Sequence, residues 1–430
     1  MSIKEDLERE EVREPLMDKK NLSDEQGGSF VQSRSKESAW MVYLSTFVAV
    51  CGSFAFGSCA GYSSPTENAI REDLSLSLAE YSVFGSILTF GAMIGAITSG
   101  PIADLIGRKG ALRVAASFCF AGWLAIYFAQ GVLALDLGRL ATGYGMGIFS
   151  YVVPVFIAEI SPKNLRGALT TTNQAKRGRE EEFQTALQKL RGKEADISHE
   201  ATEIKEYIET LERLPKARFV ELFQRRYLRS VIIGVGLMVF QQFGGINGVC
   251  FYVSNIFESA GFSPSLGTII YAILQVVVTA LNTTVIDKAG RKPLLLVSAS
   301  GLVLGCIITG ISFYLKVNEL AIKSVPALTL TGILLYIGSF SAGMGAVPWV
   351  IMSEIFPINI KGVAGSLATL VNWFGAWAIS YTYNYLMSWS SYGTFILYAA
   401  INALAIVFVV TVVPETKGRT LEQIQAAINA

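Results

Sequence analysis

Three carboxamides crowd one apolar stretch of the chain: Gln241, Gln242 and Asn247, inside the run Val231–Asn255. An amide sealed from water costs free energy unless it finds partners of its own. A neutral polyhydroxyl ligand is a matching partner, because each hydroxyl both donates and accepts a hydrogen bond. On a regular helix, Gln242 and Asn247 lie roughly 140° apart, and Gln241 and Asn247 about 120° apart. One uninterrupted helix cannot aim all three at one ligand, so the spacing predicts a break at Gly244 and Gly245. The other use of such amides is to hydrogen-bond one helix to the next.

Charged residues form two signatures, each present twice. Asp104, Gly107, Arg108 and Lys109 return as Asp287, Gly290, Arg291 and Lys292. Glu159, Pro162, Asn164, Arg166 and Gly167 return as Glu354, Pro357, Asn359, Lys361 and Gly362. Two pairs in the same order mark an internal repeat. A glycine beside cations turns a chain at a lipid surface. The acid before it sits at the water boundary, within reach of an arginine from a neighbouring loop. Asp104, Glu159, Asp287 and Glu354, set against Arg108, Arg166 and Arg291, can latch the ends of two helical bundles in one state and release them in another. Anchoring to lipid alone needs the cations but not the acids.

The remaining reactive side chains form no site. Cys51, Cys59, Cys119, Cys250 and Cys306 all lie in apolar runs without metal or redox spacing and read as packing residues. His199 stands in a polar stretch with no cysteine or carboxylate constellation. With no nucleophile–base pair, metal cluster or phosphate loop, the chain is expected to be no enzyme and to need no cofactor. Lys and Arg number 35 against 34 Asp and Glu, a net charge of +1 that argues against nucleic acid as a partner.

The apolar pattern gives the elements that hold these residues. Of 430 residues, 52% are hydrophobic and 16% charged, where a soluble domain carries about 25% charged. A helix crosses a bilayer with about 20 apolar residues. Runs of that kind recur at Met41–Tyr62, Val83–Ile102, Ala111–Val132, Leu135–Phe156, Val231–Asn255, Thr268–Ile286, Pro293–Leu315, Ala327–Met352, Val363–Leu386 and Phe395–Val413. They are continuous rather than alternating, which favours helices over a barrel. Lys and Arg gather after the second, fourth, sixth and eighth runs, at Arg108, Lys109, Arg113, Lys163, Arg166, Lys288, Arg291, Lys292 and Lys361. The opposite side holds Arg71, Lys316 and Lys323. Both termini are therefore expected in the cytoplasm.

The pattern G-x-x-x-D-x-x-G-R-K from Gly100 to Lys109, and E-x-x-P-x-x-x-R-G from Glu159 to Gly167, resemble the major facilitator superfamily. Together with Gln241, Gln242, Gly245, Asn247, Pro348, Trp349 and the stretch Pro414–Arg419 they resemble its sugar porter branch. The stretch Gly61–Pro65 is most similar to the plant early-responsive-to-dehydration-six-like transporters, and the resemblance runs from about Trp40 to Ala430. It implies an all-α, polytopic, two-bundle membrane fold that moves a small neutral monosaccharide by alternating access. It implies that Gln241, Gln242, Asn247, Gln275, Trp349 and Asn372 bind the sugar, with Trp349 offering a flat face to ring C–H groups. Gln174 matches a further ligand on the family's fifth span. Three positions depart from the pattern. A family acid falls at Ser341, a proline at Ala346, and the first-span Asp of proton-coupled members falls near Cys59. No acid lies between Trp40 and Tyr62, so facilitated diffusion is favoured over proton symport.

The two halves of the repeat are unequal. Two runs follow Gly362, but none follows Gly167 before the next half begins. The family's fifth and sixth spans, about 45 residues with their turn, have no counterpart. Gln174 therefore opens a polar loop. The division expected is a disordered tail over 1–38, an incomplete four-helix bundle over 39–174, and a cytoplasmic linker with short amphipathic helices over 175–227. A six-helix bundle over 228–414 and a cytoplasmic tail over 415–430 follow. The rival readings are a shortened non-transporting or regulatory form, associating with full-length homologues, and a sugar sensor. The vacuolar and plasma membranes both suit the sequence.

Overall fold

The computed structural model describes residues 30–160 and 219–419, with positions 202, 423, 424, 426 and 428 besides. At 30–43, 158–160, 283, 287 and 358 it describes the backbone alone. The expected linker helices, Arg166 and Gln174 lie outside the described residues.

All regular structure among the described residues is helical. The first half contains α1 (Phe30–Gly61), α2 (Ser63–Asp73), α3 (Leu78–Tyr127) and α4 (Val132–Ile160). The second contains α5 (Arg225–Phe243), α6 (Ile246–Ser259), α7 (Pro264–Ala289), α8 (Arg291–Val317), α9 (Val325–Ser339), α10 (Val347–Ile355), α11 (Ile358–Trp389) and α12 (Ser391–Thr411). A π-helical turn, Phe340–Met344, joins α9 to α10.

Nine helical stretches among the described residues are long and apolar enough to cross a membrane. One of them, α3, has 50 residues, about 75 Å of helix against a hydrocarbon core of about 30 Å. It folds back at Gly107, where φ is 78°, a conformation that glycine adopts without a Cβ penalty. α3 is thus two crossings, which makes ten, four in the first half and six in the second. Gly290, at φ 89°, breaks α7 from α8 in the same way. The repeated signature therefore encodes one backbone turn, used once in each half.

Local chemistry sets the ends and the close contacts. Ser77 caps α3 reciprocally: its hydroxyl accepts from the Glu80 N–H at 3.2 Å, while Glu80 Oε2 accepts the Ser77 N–H at 2.8 Å. α3 and α4 touch backbone to backbone through facing glycines spaced four apart. A Cβ at Gly143 would lie 2.2 Å from the Leu88 carbonyl, and one at Gly147 would lie 2.1 Å from that of Ala92. α3 also packs along α11 of the other half. One buried apolar core accordingly runs through both halves, from Tyr81, Phe84 and Leu88 to Tyr252, Phe257 and Tyr398. A smaller cluster around Ala111, Ile148 and Val152 belongs to the first half.

Candidate functional site

The amides converge where the helix breaks. α5 stops at Phe243, Gly245 takes a left-handed φ of 102°, and α6 starts at Ile246. The bend brings Asn247 Nδ2 onto Gln242 Oε1. Gln242 Nε2 donates to Asn372 Oδ1 of α11 at 2.6 Å and to Gln241 Oε1 at 3.3 Å. Gln241 Nε2 donates to the carbonyls of Met344 at 2.7 Å and Gly345 at 3.1 Å, at the π turn. Four side chains from three helices thus form one network with a buried core, Gln241, Gln242 and Asn372 each being less than 9% exposed. Each amide keeps donor or acceptor capacity beyond these bonds. Hydroxyl groups can exchange into such a network with little loss of bonding.

Side chains that the sequence reading did not single out hold the break open. Tyr336 OH donates to the Gly244 carbonyl at 3.0 Å, and Asn402 Nδ2 donates to the same oxygen at 3.1 Å. Both are buried. They occupy the carbonyl that the interrupted helix leaves without its own partner.

Trp349 lies one turn past Gly345 on α10, and it is exposed. Gln275 is half-buried on α7. It shares a face with Asn282, seven residues on, whose Nδ2 donates to the Ser341 carbonyl at 3.1 Å. Gln275 makes no hydrogen bond to the amide network among the described residues.

The repeated charged signatures form a second cluster at the Gly290 end. Arg291 Nη2 meets Glu354 Oε1 at 2.8 Å. Thr416 Oγ1 donates to the other oxygen of Glu354 at 2.5 Å. Glu415 accepts the backbone N–H groups of Arg291, Lys292 and Thr416 at 3.0 Å each, and of Lys417 at 2.9 Å. Burial pushes this carboxyl up, but the four N–H donors outweigh it and hold Glu415 below the usual glutamate range. At the Gly107 end, Arg108 Nη1 meets Asp104 Oδ1 at 3.1 Å across the turn. The side chains of Glu159 and Asp287 are among those not described. The Arg108–Asp104 and Arg291–Glu354 pairs each lie inside one half.

The bonds that do join the halves lie at the opposite end. Ser64 Oγ on α2 donates to Ser254 Oγ on α6 at 2.9 Å and accepts the Ser254 N–H at 2.9 Å. Asn68 Nδ2 donates to Glu258 Oε2 at 2.9 Å, and Asn384 Nδ2 of α11 to Ser82 Oγ of α3 at 2.9 Å. Beneath this seam stands Arg139 of α4, fully buried. Its Nη2 donates to Ser63 Oγ, and its guanidinium faces the rings of Tyr62 and Phe84 at 5.6 and 5.1 Å. Arg139 was legible as the one cation inside the run Leu135–Phe156. The sequence reading assigned no role to it or to Glu67 of α2, which is 1% exposed.

The sequence profile of the family "Sugar (and other) transporter" matches residues 41–176 and 174–428. The chain is similar to Sugar transporter ERD6-like 7 of Arabidopsis thaliana, with 66% identity over 465 aligned positions, covering 97% of this chain and 98% of the relative. It is similar to Sugar transporter ERD6-like 16 of the same plant at 55% identity, covering 100% and 99% of the two. Among solved structures it resembles the inward open conformation of the xylose transporter XylE from E. coli, with a TM-score of 0.71 and 25% identity, covering 90% of this chain and 99% of that one. The proton:xylose symporter XylE bound to 6-bromo-6-deoxy-D-glucose aligns with a TM-score of 0.72 at 24% identity, covering 91% and 99%.

Proposed function

The chain belongs to the sugar transporter family of the major facilitator superfamily, an integral multi-pass membrane protein and not an enzyme, and from that premise we propose that it carries monosaccharides by alternating access. The observation that carries this reading is the amide network at the α5–α6 break. It sits between the seam at one end and the charged turns at the other, where a substrate must pass in either direction. Gln241, Gln242, Asn247 and Asn372 bind hydroxyls, Trp349 packs on the ring face, and Gln275 lines the approach from α7. The Lys- and Arg-rich turns at Gly107 and Gly290 face the cytoplasm, in the vacuolar or the plasma membrane.

The mode we propose is facilitated diffusion. Net proton transport needs a group that loads and unloads a proton as it meets each side in turn. The first-span position carries Cys59, which sits beside Arg139. The relatives' names speak of sugar, and XylE's of a proton besides; the choice for this chain rests on its own residues.

A second reading has a specific observation in its favour. The family match resumes at 174 where its first part ends at 176. The alignment with ERD6-like 7 spends 465 positions on 97% of a 430-residue chain, leaving about 48 positions of the relative unpaired, the length of two spans and a turn. The first half also has an open flank, a cavity of about 610 Å³ lined by Val48, Gly52, Leu112, Arg113 and Phe149. On this reading the chain is a shortened form that binds sugar without translocating it, or that associates with full-length relatives.

Uptake of labelled D-glucose and D-xylose into liposomes holding the purified chain separates the two. The comparison is a version in which the missing segment of ERD6-like 7 follows Gln174. Uptake by both supports transport by this form. Uptake only by the restored version, with sugar binding by both, supports the shortened-form reading.

A further inference from the structure

Glu67 occupies an unusual position for a carboxyl group. It lies on α2, outside the candidate crossings, yet both its oxygens are buried without a hydrogen-bond partner among the described residues. Ser64, three residues before it, and Asn68, next to it, make the bonds that tie α2 to α6 across the halves. Glu67 is therefore buried by the closure itself: the surface that covers it belongs in part to the opposite half.

The groups that face it come from every element around it. Arg71 of α2 approaches to 4.0 Å and is itself one-third exposed. α6 presents Glu258, which repels a charge on Glu67, and Asn255, whose amide approaches without reaching hydrogen-bond geometry. Tyr252 of α6, Tyr81 of α3 and Tyr383 of α11 are neutral phenols within its field. Arg139 of α4 lies below, against Ser63, with Cys59 of α1 beside it. A lone arginine at that separation does not replace the water a carboxylate loses. Burial pushes the Glu67 carboxyl up to about 7, against the pull of Arg71 and with a further push from Glu258.

We propose that Glu67 is a proton-binding site that locks the outer seam, holding a proton while α2 is docked on α6 and releasing it when the halves part. The orientation, and so the word outer, rests on the transport reading above; the proton site itself does not. The proton leaves to water on the side where the seam opens and returns from the same side. No proton crosses the membrane, and the device sets a rate instead of driving a symport. The sign follows from linkage. A carboxyl whose affinity for a proton is higher in the closed state favours closure at low pH, and that preference fades as pH rises through about 7. Below that point the closed-to-open ratio gains up to about tenfold per pH unit, until the ordinary carboxylate value is reached.

Two measurements on the purified full chain test this without requiring transport. The first is the infrared band of protonated carboxyls, titrated with pH and compared with Glu67→Gln. The second is the spin-label distance between Asp73→Cys and Leu320→Cys, in a chain carrying Cys51→Ser so that no exposed native thiol competes. The expected result is a band that titrates near neutrality and is missing from Glu67→Gln, with a long-distance population growing as pH rises. Glu67→Gln stays closed at every pH. Asn68→Ala, which keeps the carboxyl, opens more at each pH but retains the pH dependence, and so guards against a folding artefact. The same band in Glu67→Gln, or distances in the unmodified seam that ignore pH, overturns the proposal.

Discussion

Gln242 Nε2 and Asn372 Oδ1 stand 2.6 Å apart, one from the last turn before the α5–α6 break and the other from the middle of α11. Both are buried, so removing either takes a hydrogen bond from the other, a loss of about 1–3 kcal/mol. Gln242→Ala is expected to raise the sugar concentration for half-maximal uptake by about tenfold or more, consistent with that range. Asn372→Ala should follow it. In the thermal unfolding of the sugar-free protein, the double variant should lose less than the sum of the single ones, with a coupling of about 0.5–3 kcal/mol. Strict additivity would mean that the two amides do not act as a unit.

Glu415 links the C-terminal stretch to the first turn of α8 through the N–H groups of Arg291 and Lys292. Its folded-state affinity for a proton lies below the usual value of 4.5. The stability it contributes is therefore fully present above that value and is lost as pH falls through the lower, folded-state one. The group is partly solvated, so the effect is modest. Glu415→Gln should lower the melting temperature at about pH 6, and the gap from the unmodified chain should close by about pH 3. A gap that persists in acid would assign the stabilisation to something other than the carboxylate.

What could be read from the sequence was whatever depends on neighbours along the chain. The ten runs, the turns at Gly107 and Gly290, and the break at Gly244 and Gly245 follow from apolar length, glycine and the angular spacing of amides. All are in the structure. What escaped was set by partners far away in sequence. Asn402 and Tyr336 secure the Gly244 carbonyl from 158 and 92 residues off, and no local pattern marks them. No local pattern marks Glu67 either, since only the docking of α2 on α6 buries it. The contacts of Glu415 with the first turn of α8 also escaped, because Gly290 and Glu415 fold the C-terminal stretch back onto its own bundle.

The α3–α4 contact is the tightest in the first half, and it depends on having no side chain at Gly143, where a Cβ would sit 2.2 Å from the Leu88 carbonyl. The obstacle is backbone, which cannot rotate away. Gly143→Ala is expected to separate the two helices and to cost about 1–3 kcal/mol, read as a lowered melting temperature of the detergent-solubilised chain. Gly57→Ala, where nothing lies within 4 Å of the added carbon, serves as the control and should melt with the parent. Equal melting of all three would show that the contact carries little of the fold.

Cys59 and Arg139 are both fully buried, and they face one another between α1 and α4. A carboxylate at Cys59 would pair with the guanidinium, and a pair of that kind can trade its partner for a proton as the site alternates between the two sides. A thiol offers no such exchange: it is a weak hydrogen-bond donor with no carboxylate to share between a guanidinium and a proton. Sugar entry into liposomes should therefore leave external pH unchanged for the native chain, or for its version with the two spans restored if only that one transports. Cys59→Asp in the same protein should couple entry to alkalinisation of the outside medium, and should make accumulation depend on an imposed proton gradient. Alkalinisation by the native chain on sugar addition would place the coupling group elsewhere and would sink facilitated diffusion. Failure of Cys59→Asp to move protons while still moving sugar would show that Arg139 serves the fold of the first half and takes no part in coupling.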